Sequence, residues 1–484
     1  MSRNSGRRRP RTVRVVPFLV LPLLAAAACS GGDPAPSGGT AGSGRAVAAD
    51  APEPPGDIVL ASGRDVTGKG GIRQQLIAKW NEAQEARGTG FRARLVELPG
   101  SADQQRSQLL GALQSGSADY DVVNLDVTWV PEFAEASLVQ PLPDHLVDAD
   151  VIGSVAATSR WRDHVYAVPF NSDVGLLFYR PDHLRAAGVT QPGPGRGTTW
   201  PALQKLMETL DDASRDRKLP ETYQKGWTAQ LDATYEGLTV NGVEAFASAT
   251  DGFTLTDAEG RYAGSLPQLE KGLDELRSRT QAAYTLPDAA QSDEADTLTD
   301  FAGGRTAFLR HWPYAYRTLH QSLSTQQLGV APLPGKAVLG GQNLAVAAGS
   351  KRRNAALDLI EFLTGRQSER CLLDAGFAAT RRSAYREDAL RCEAAKPAGL
   401  PTGSPPAERT DRMPRDAAGR PAYAQEILLP ALENAVQRPR TPLYGAFTQT
   451  FAAELGRLHG DKPPTREQLA KDLDTQLRRA LTPD

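Results

Sequence analysis

At 484 residues the chain is long enough for two domains with full cores. Its 55 Lys and Arg nearly balance 57 Asp and Glu, a net charge of -2, so no global field favours nucleic acid or an anionic membrane surface. No G-x-S-x-G elbow, H-E-x-x-H or P-loop is present, which removes the commonest hydrolase and nucleotide signatures.

Residues 1–28 read as a secretory signal: an Arg cluster over 3–14, the apolar run Val15 to Leu24, then Ala25 to Ala28 before Cys29. The run is too short for a comfortable transmembrane helix. Arg7-Arg8-Arg9 is taken as an ordinary basic leader, because the residues after it fit a twin-arginine signal poorly. The small residues before Cys29 resemble the lipobox of bacterial lipoproteins, which implies that Cys29 is acylated, with Ala26 standing where Leu is most usual. Acylation with two or more chains gives stable anchoring at the membrane. Residues 29–56 are Gly, Ser, Pro and Ala with little to bury, a flexible tether. Cys371 and Cys392 then lie in an oxidising compartment, where a disulfide is the default and two free thiols are the alternative. No His stands at ligand spacing from either, so neither a metal site nor a cofactor is expected.

The body opens with a strand over Ile58–Ser62, a helix carrying Ile72, Leu76, Ile77 and Trp80, and a strand over Arg92–Leu98. A polar helix over Ala102–Gln114 and a buried strand over Tyr120–Leu125 come next. This alternation predicts a mostly parallel sheet. Asp126, Thr128 and Trp129 stand at the carboxyl end of the third strand, the crevice position of open α/β sheets. A Trp beside a carboxylate there suits a sugar; the other reading is that Asp126 caps a helix beginning near Pro131. Val165–Pro169 and Leu176–Tyr179 read as two strands joined by a Pro-broken crossing. In G-W-T-A-Q-L-D-A-T-Y-E-G-L, residues Trp227, Gln230, Tyr235 and Glu236 are spaced to share one helix face. Strands are expected over Thr306–Leu309, Leu328–Val330 and Leu344–Val346. The aromatics Trp312, Tyr314 and Tyr316 gather where Pro313 bars the first of these from continuing. Those aromatics line a crevice or belong to the core. Near the C-terminus, Thr465 with Gln468 reads as a capping-box start, and Leu469, Leu473, Leu477 and Leu481 form one apolar stripe.

The runs V-P-F-N-S-D-V-G-L-L-F-Y-R, T-Y-E-G-L, F-A-G-G-R-T-A-F-L-R-H-W-P-Y-A-Y, A-P-L-P-G, L-G-G-Q-N-L-A-V and A-A-L-D-L-I-E-F-L-T-G carry a resemblance. Their order and spacing resemble the family 1 extracellular solute-binding proteins of ABC importers, within it the maltose, trehalose and oligosaccharide binders. G-F-A-A-T-R-R-S-A-Y looks like the family's Gly–Pro–Thr–Arg turn with Ala379 in place of Pro. The resemblance implies an α/β, two-lobe periplasmic-binding fold of type II with a three-segment hinge. It places lobe one at 57–169 plus 333–382 and lobe two at 172–331 plus 385–484. The crossings fall near Pro169–Asp173, Ala331–Pro334 and Arg381–Tyr385.

Carried over by position, the ligand residues implied are Asp65, Asp126, Trp129 and Arg381 from lobe one and Asp173 at the crossing. Lobe two adds Gln230, Glu236, Trp312 and Tyr314, with Tyr444 a weaker candidate. Gly341, after Gly340, would let the backbone approach the sugar. The implied partners are a di- or oligosaccharide, the permease subunits of an ABC transporter and the membrane through the lipid anchor. No nucleic-acid partner is expected, and the protein is expected to be a monomer on the extracytoplasmic face of the cell membrane. A secreted hydrolase using paired carboxylates is the enzyme alternative.

Overall fold

A computed structural model describes residues 53–65, 71–116, 120–190, 193–393, 412–460 and 462–482. The signal, Cys29 and most of the tether lie outside the described residues. Nine strands matter for the site: β1 (Gly56–Gly63), β2 (Phe91–Leu98), β3 (Val122–Asp126), β4 (Val168–Val174), β5 (Leu176–Tyr179), β6 (Lys225–Thr228), β7 (Thr306–His311), β8 (Gly329–Pro332) and β9 (Leu339–Val346). The first sheet has the order β2-β1-β3-β9-β4, the second β8-β5-β7-β6.

The expected parallel sheet holds for β1, β2 and β3. It becomes mixed where β9 returns antiparallel between β3 and β4. Between the parallel strands run α1 (Ile72–Arg87) and α2 (Ala102–Gln114). In α2, Ser101 and Gln104 close a full capping box, which sets the start at Ala102. Strands buried on both faces read as continuous apolar runs. Ile58, Leu60 and Val122 pack with Leu76, Trp80 and Leu359 on one side, while Val123 and Leu125 face Leu109 and Phe133 on the other.

Pro169 does not break its strand. β4 is the edge of the first sheet, and Pro169 pairs with Asn343 beside a register shift in β9, where its missing N–H costs no regular ladder bond.

The second sheet splits its core by the strand pleat: Leu177 and Phe308 face one apolar cluster, Phe178 and Leu309 the other. Behind it lie α3 (Trp200–Arg215), α4 (Gly237–Ala249) and α5 (Leu266–Arg279). The C-terminal helix α6 (Arg466–Ala480) starts at the Thr465 cap, whose side chain accepts the Gln468 N–H. Its Leu469, Leu473 and Leu477, with Leu481 just beyond, are buried.

The chain crosses between the sheets at Gly175 and again over 333–338. A Cβ at Gly175 would sit 2.2 Å from Glu244 Oε1, so the crossing needs glycine there. Gly175 N–H donates to Val338 O at 3.2 Å, and Val338 N–H to Glu244 Oε1 at 3.1 Å, which ties the two crossings together.

Candidate functional site

Two cavities of nearly equal size, about 840 and 850 Å³, share Arg438 in their walls; only the smaller is lined by residues of the first sheet and of the end of the second. Volume does not choose between them; chemistry does. The 840 Å³ cleft gathers Asp126, Asp173, Glu236, Trp312 and Gly341 with Arg64, Tyr235, Glu294, Gln342 and Arg438. Asp126 comes from the end of β3, Asp173 from β4, Glu236 from the residue before α4, and Trp312 from the residue after β7. Both sheets thus contribute polar and aromatic groups at strand ends, the arrangement expected of a ligand crevice.

Trp312 is half-buried, with the Arg310 guanidinium 3.9 Å from its ring centroid. Arg310 is fixed in turn by Glu244, its Nη2 donating to Oε1 at 2.6 Å and its Nε to Oε2 at 3.1 Å, both side chains almost wholly buried. The indole therefore sits on a preformed cation instead of on a loose side chain. Gly340 leaves room for it: a Cβ there would come within 3.2 Å of the Trp312 ring.

Arg438 occupies the middle of the cleft wall. Its Nη2 donates to Asp126 Oδ1 at 3.1 Å and Oδ2 at 3.4 Å, and its Nη1 donates to Glu236 Oε1, which also accepts the Tyr444 hydroxyl. One buried guanidinium thus joins the two sheets. Burial opposes its charge, but Asp126 and Glu236 outweigh that and hold its pKa well above the usual value. Burial raises the Glu236 carboxyl, with Arg438 pulling the other way. Asp173 is raised to about 7 by burial and by Asp126, against the pull of Arg73, Arg310 and Arg438. Its carboxyl makes no hydrogen bond or ion pair among the described residues.

Five expected ligand residues are placed elsewhere. Asp65 is buried and its Oδ2 accepts Arg73 N–H at 3.0 Å in the first turn of α1; its neighbour Arg64 lines the cleft instead. Trp129 is 4% exposed and packs in the apolar cluster of Val130 and Phe133. Gln230 is 1% exposed, its Nε2 donating to Thr297 Oγ1 at 2.7 Å and Arg310 O at 3.0 Å. Tyr314 is half-buried, edge-on to the His311 ring and off the cleft wall. Arg381 is spent on structural contacts: its Nε donates to Thr364 O at 2.6 Å and its Nη1 to both Asp148 oxygens at 2.8 and 2.9 Å.

Two local expectations also change. Trp227, Gln230, Tyr235 and Glu236 share no helix: Trp227 pairs with Phe308 in the parallel ladder, and the helix begins only at Gly237. Asp126 caps no helix, its Oδ1 instead accepting the N–H of Thr128 at 2.9 Å and its hydroxyl at 2.7 Å. Gly341 lines the cleft, and its φ of +118° favours glycine there, where a Cβ would lie 2.4 Å from Asn171 O.

Cys371 and Cys392 are joined by a disulfide. Among the described residues no cluster of His, Cys, Asp and Glu could hold a metal ion, and no helix is long and apolar enough to cross a membrane.

The bacterial extracellular solute-binding protein profile matches residues 65–369. The chain belongs to that family. A probable ABC transporter-binding protein of Deinococcus radiodurans is 28% identical over 295 residues, 59% of this chain and 68% of the relative. An uncharacterised lipoprotein of Streptomyces antibioticus is 26% identical over 383 residues, 74% and 78% of the two chains. Among solved structures, a maltose-bound protein of T. maritima superposes with a TM-score of 0.67 at 23% identity, over 87% of this chain and 99% of that one. A tagatose-bound solute-binding protein of Thermotoga lettingae gives 0.68 at 20% identity, over 88% and 100%. These likenesses establish the two-lobe type II fold, and the family is one of binding proteins.

Proposed function

We propose that this solute-binding protein captures a sugar, a di- or oligosaccharide, in the cleft between its lobes and delivers it to the permease of an ABC importer. The observation that carries the reading is the pairing of Trp312, stacked on Arg310, with carboxylates from both lobes. An aromatic face takes the C–H side of a pyranose, and carboxylates accept its hydroxyls. The sugars named for the solved relatives, maltose and tagatose, agree with this, and the Deinococcus relative supplies the transporter context. Acylation of Cys29 would tether the body to the extracytoplasmic face of the membrane, as the lipoprotein relative suggests.

The test is a thermal-shift screen of the purified protein against mono-, di- and oligosaccharides, polyols and amino acids. A ligand that binds only the native state raises the melting temperature by mass action. A rise with one sugar class supports the reading and names the substrate. A rise with amino acids alone, or turnover of a bound oligosaccharide, would overturn it.

A further inference from the structure

The floor of the cleft is a cross-strand row. In the register of the first sheet, Gln342 on β9 stands opposite Asp126 on β3 and opposite Asn171 on β4. Two residues back on the same face, Gly340 stands opposite Asp173. Residues two apart on a strand share a face, so Asp126, Gln342, Asn171 and Asp173 rise from one side of the sheet. Asp173 is the diagonal neighbour of Gln342, close enough for one small molecule to touch both.

Beneath this row lies Arg73, 4% exposed, between the rings of Phe170 and Phe377. Its Nη1 donates to Ser62 Oγ at 2.8 Å and Gly63 O at 3.1 Å; its Nη2 donates to Asn171 Oδ1 at 3.2 Å and Gln342 Oε1 at 2.8 Å. A guanidinium has donors and no acceptor, so the Gln342 atom it touches has to be the amide oxygen. Asn124 Nδ2 donates to the same oxygen at 2.8 Å. Both lone pairs of Oε1 are then used. The amide nitrogen, with two donors, has no partner among the described residues and is left to the cleft that Gln342 lines. Beside it the Asp173 carboxyl is equally uncommitted.

We infer that Gln342 is a specificity-determining donor of the cleft, locked nitrogen-outward by Arg73, and that with Asp173 it reads a vicinal diol. One hydroxyl accepts from Gln342 Nε2 while its neighbour donates to Asp173. The inference rests on the sugar-binding reading and narrows it to ligands with two adjacent free hydroxyls, whether on a pyranose ring or an open-chain polyol.

The test is calorimetric titration of the full chain at pH 8, where Asp173 is mostly ionised, with maltose and ribitol as probes. Gln342→Glu keeps the size and the oxygen that Arg73 grips but offers the ligand an acceptor in place of the donor. Gln342→Met removes the donor without adding charge, and with it the oxygen to which Arg73 and Asn124 donate. Both variants are expected to lose at least tenfold in affinity for whichever probe the wild type binds; Gln342→Glu keeps a melting temperature close to that of the wild type, while Gln342→Met lowers it by leaving Arg73 and Asn124 without this acceptor. If both bind as the wild type does, Gln342 is not a ligand contact and the inference fails while the sugar reading stands. If affinity falls only in step with melting temperature, Gln342 supports the sheet and the inference fails as well. If the wild type takes neither probe and no other sugar or polyol in the thermal-shift panel, the sugar reading fails and the inference falls with it.

Discussion

Replacing Arg438 by Met tests whether a single buried cation holds the lobes together. Arg438 is 3% exposed in its side chain, and its partners Asp126 and Glu236 are 17% and 13% exposed. Removing one member of a buried pair costs about 3–5 kcal/mol, because the remaining charge is left dry and unpaired. The two carboxylates keep some water contact, so the lower figure applies. About 3 kcal/mol corresponds to roughly a hundredfold change in an equilibrium constant. The protein has two ways to relieve that cost at neutral pH: protonate a carboxylate or open the cleft and hydrate both. Opening is the cheaper one, because Gly175 and residues 333–338 already form thin crossings between the sheets. The expected outcome by small-angle X-ray scattering at pH 7.5 is a larger radius of gyration for free Arg438→Met than for free wild type. Saturating sugar should bring it back. Arg438→Lys restores the charge without the two-pronged geometry and should give an intermediate value. Identical scattering for wild type and Arg438→Met, with unchanged melting temperature, would refute the reasoning, because the ion pairs would then contribute nothing to closure.

Trp312→Ala should weaken sugar binding at least tenfold by titration while leaving the melting temperature nearly unchanged, because Glu244 alone still anchors Arg310; an unchanged dissociation constant would move Trp312 out of the site. Asp173, raised to about 7 by burial and Asp126, contributes stability that is present below about pH 4 and lost as pH rises through 7. In urea melts, the stability difference between wild type and Asp173→Asn should therefore fall across that window, and a difference independent of pH would count against the buried, unpaired carboxyl. The disulfide between Cys371 and Cys392 spans 21 residues, so Cys371→Ser with Cys392→Ser should cost about 3 kcal/mol in chemical denaturation by the chain-entropy model. No change on reduction or in the double variant would show that the segment after residue 386 adds little to the fold.

Most of the fold is legible in the sequence because its signals are local. Continuous apolar runs mark strands such as Val122–Asp126, the last helix announces itself by its Thr465 cap, and the leucines of 469–481 repeat at helical spacing. The segment 226–238 misleads because its Trp, Gln, Tyr and Glu also fit a helical repeat; what makes Lys225–Thr228 a strand is the ladder with Thr306–Leu309, which no local pattern contains. Trp129 and Trp312 look equivalent in sequence, each an aromatic at a strand end. They differ in what packs on them: Trp129 meets Phe133 and Val130 of the following turn, while Trp312 meets a cation and a glycine. Asp65 and Arg64 show how neighbours on the same chain can point opposite ways, one into the helix start and the other into the cleft.

Arg438 is the residue that sequence reasoning misses most completely, and its position explains why. It lies 312 residues from Asp126 and 202 from Glu236, so the triad has no spacing to recognise. The one signal available is the run R-P-R-T-P-L-Y over 438–444, where two prolines hold the chain extended between helices. Its Tyr444 draws the eye as an aromatic, yet Arg438 and Arg440 both reach across: Arg440 Nη1 donates to Ala157 O at 2.6 Å, on the first-lobe side. A Pro-stiffened stretch with alternating arginines after the last apparent strand is therefore readable as a strap. The physical reason is that extended backbone sends residues two apart to the same side, so both arginines can face one groove. Of the carboxylates that the sequence points to, Asp126 and Glu236 are already bound by Arg438, whereas Asp173 makes no hydrogen bond or ion pair among the described residues, which is why the proposed diol contact rests on Asp173 and Gln342.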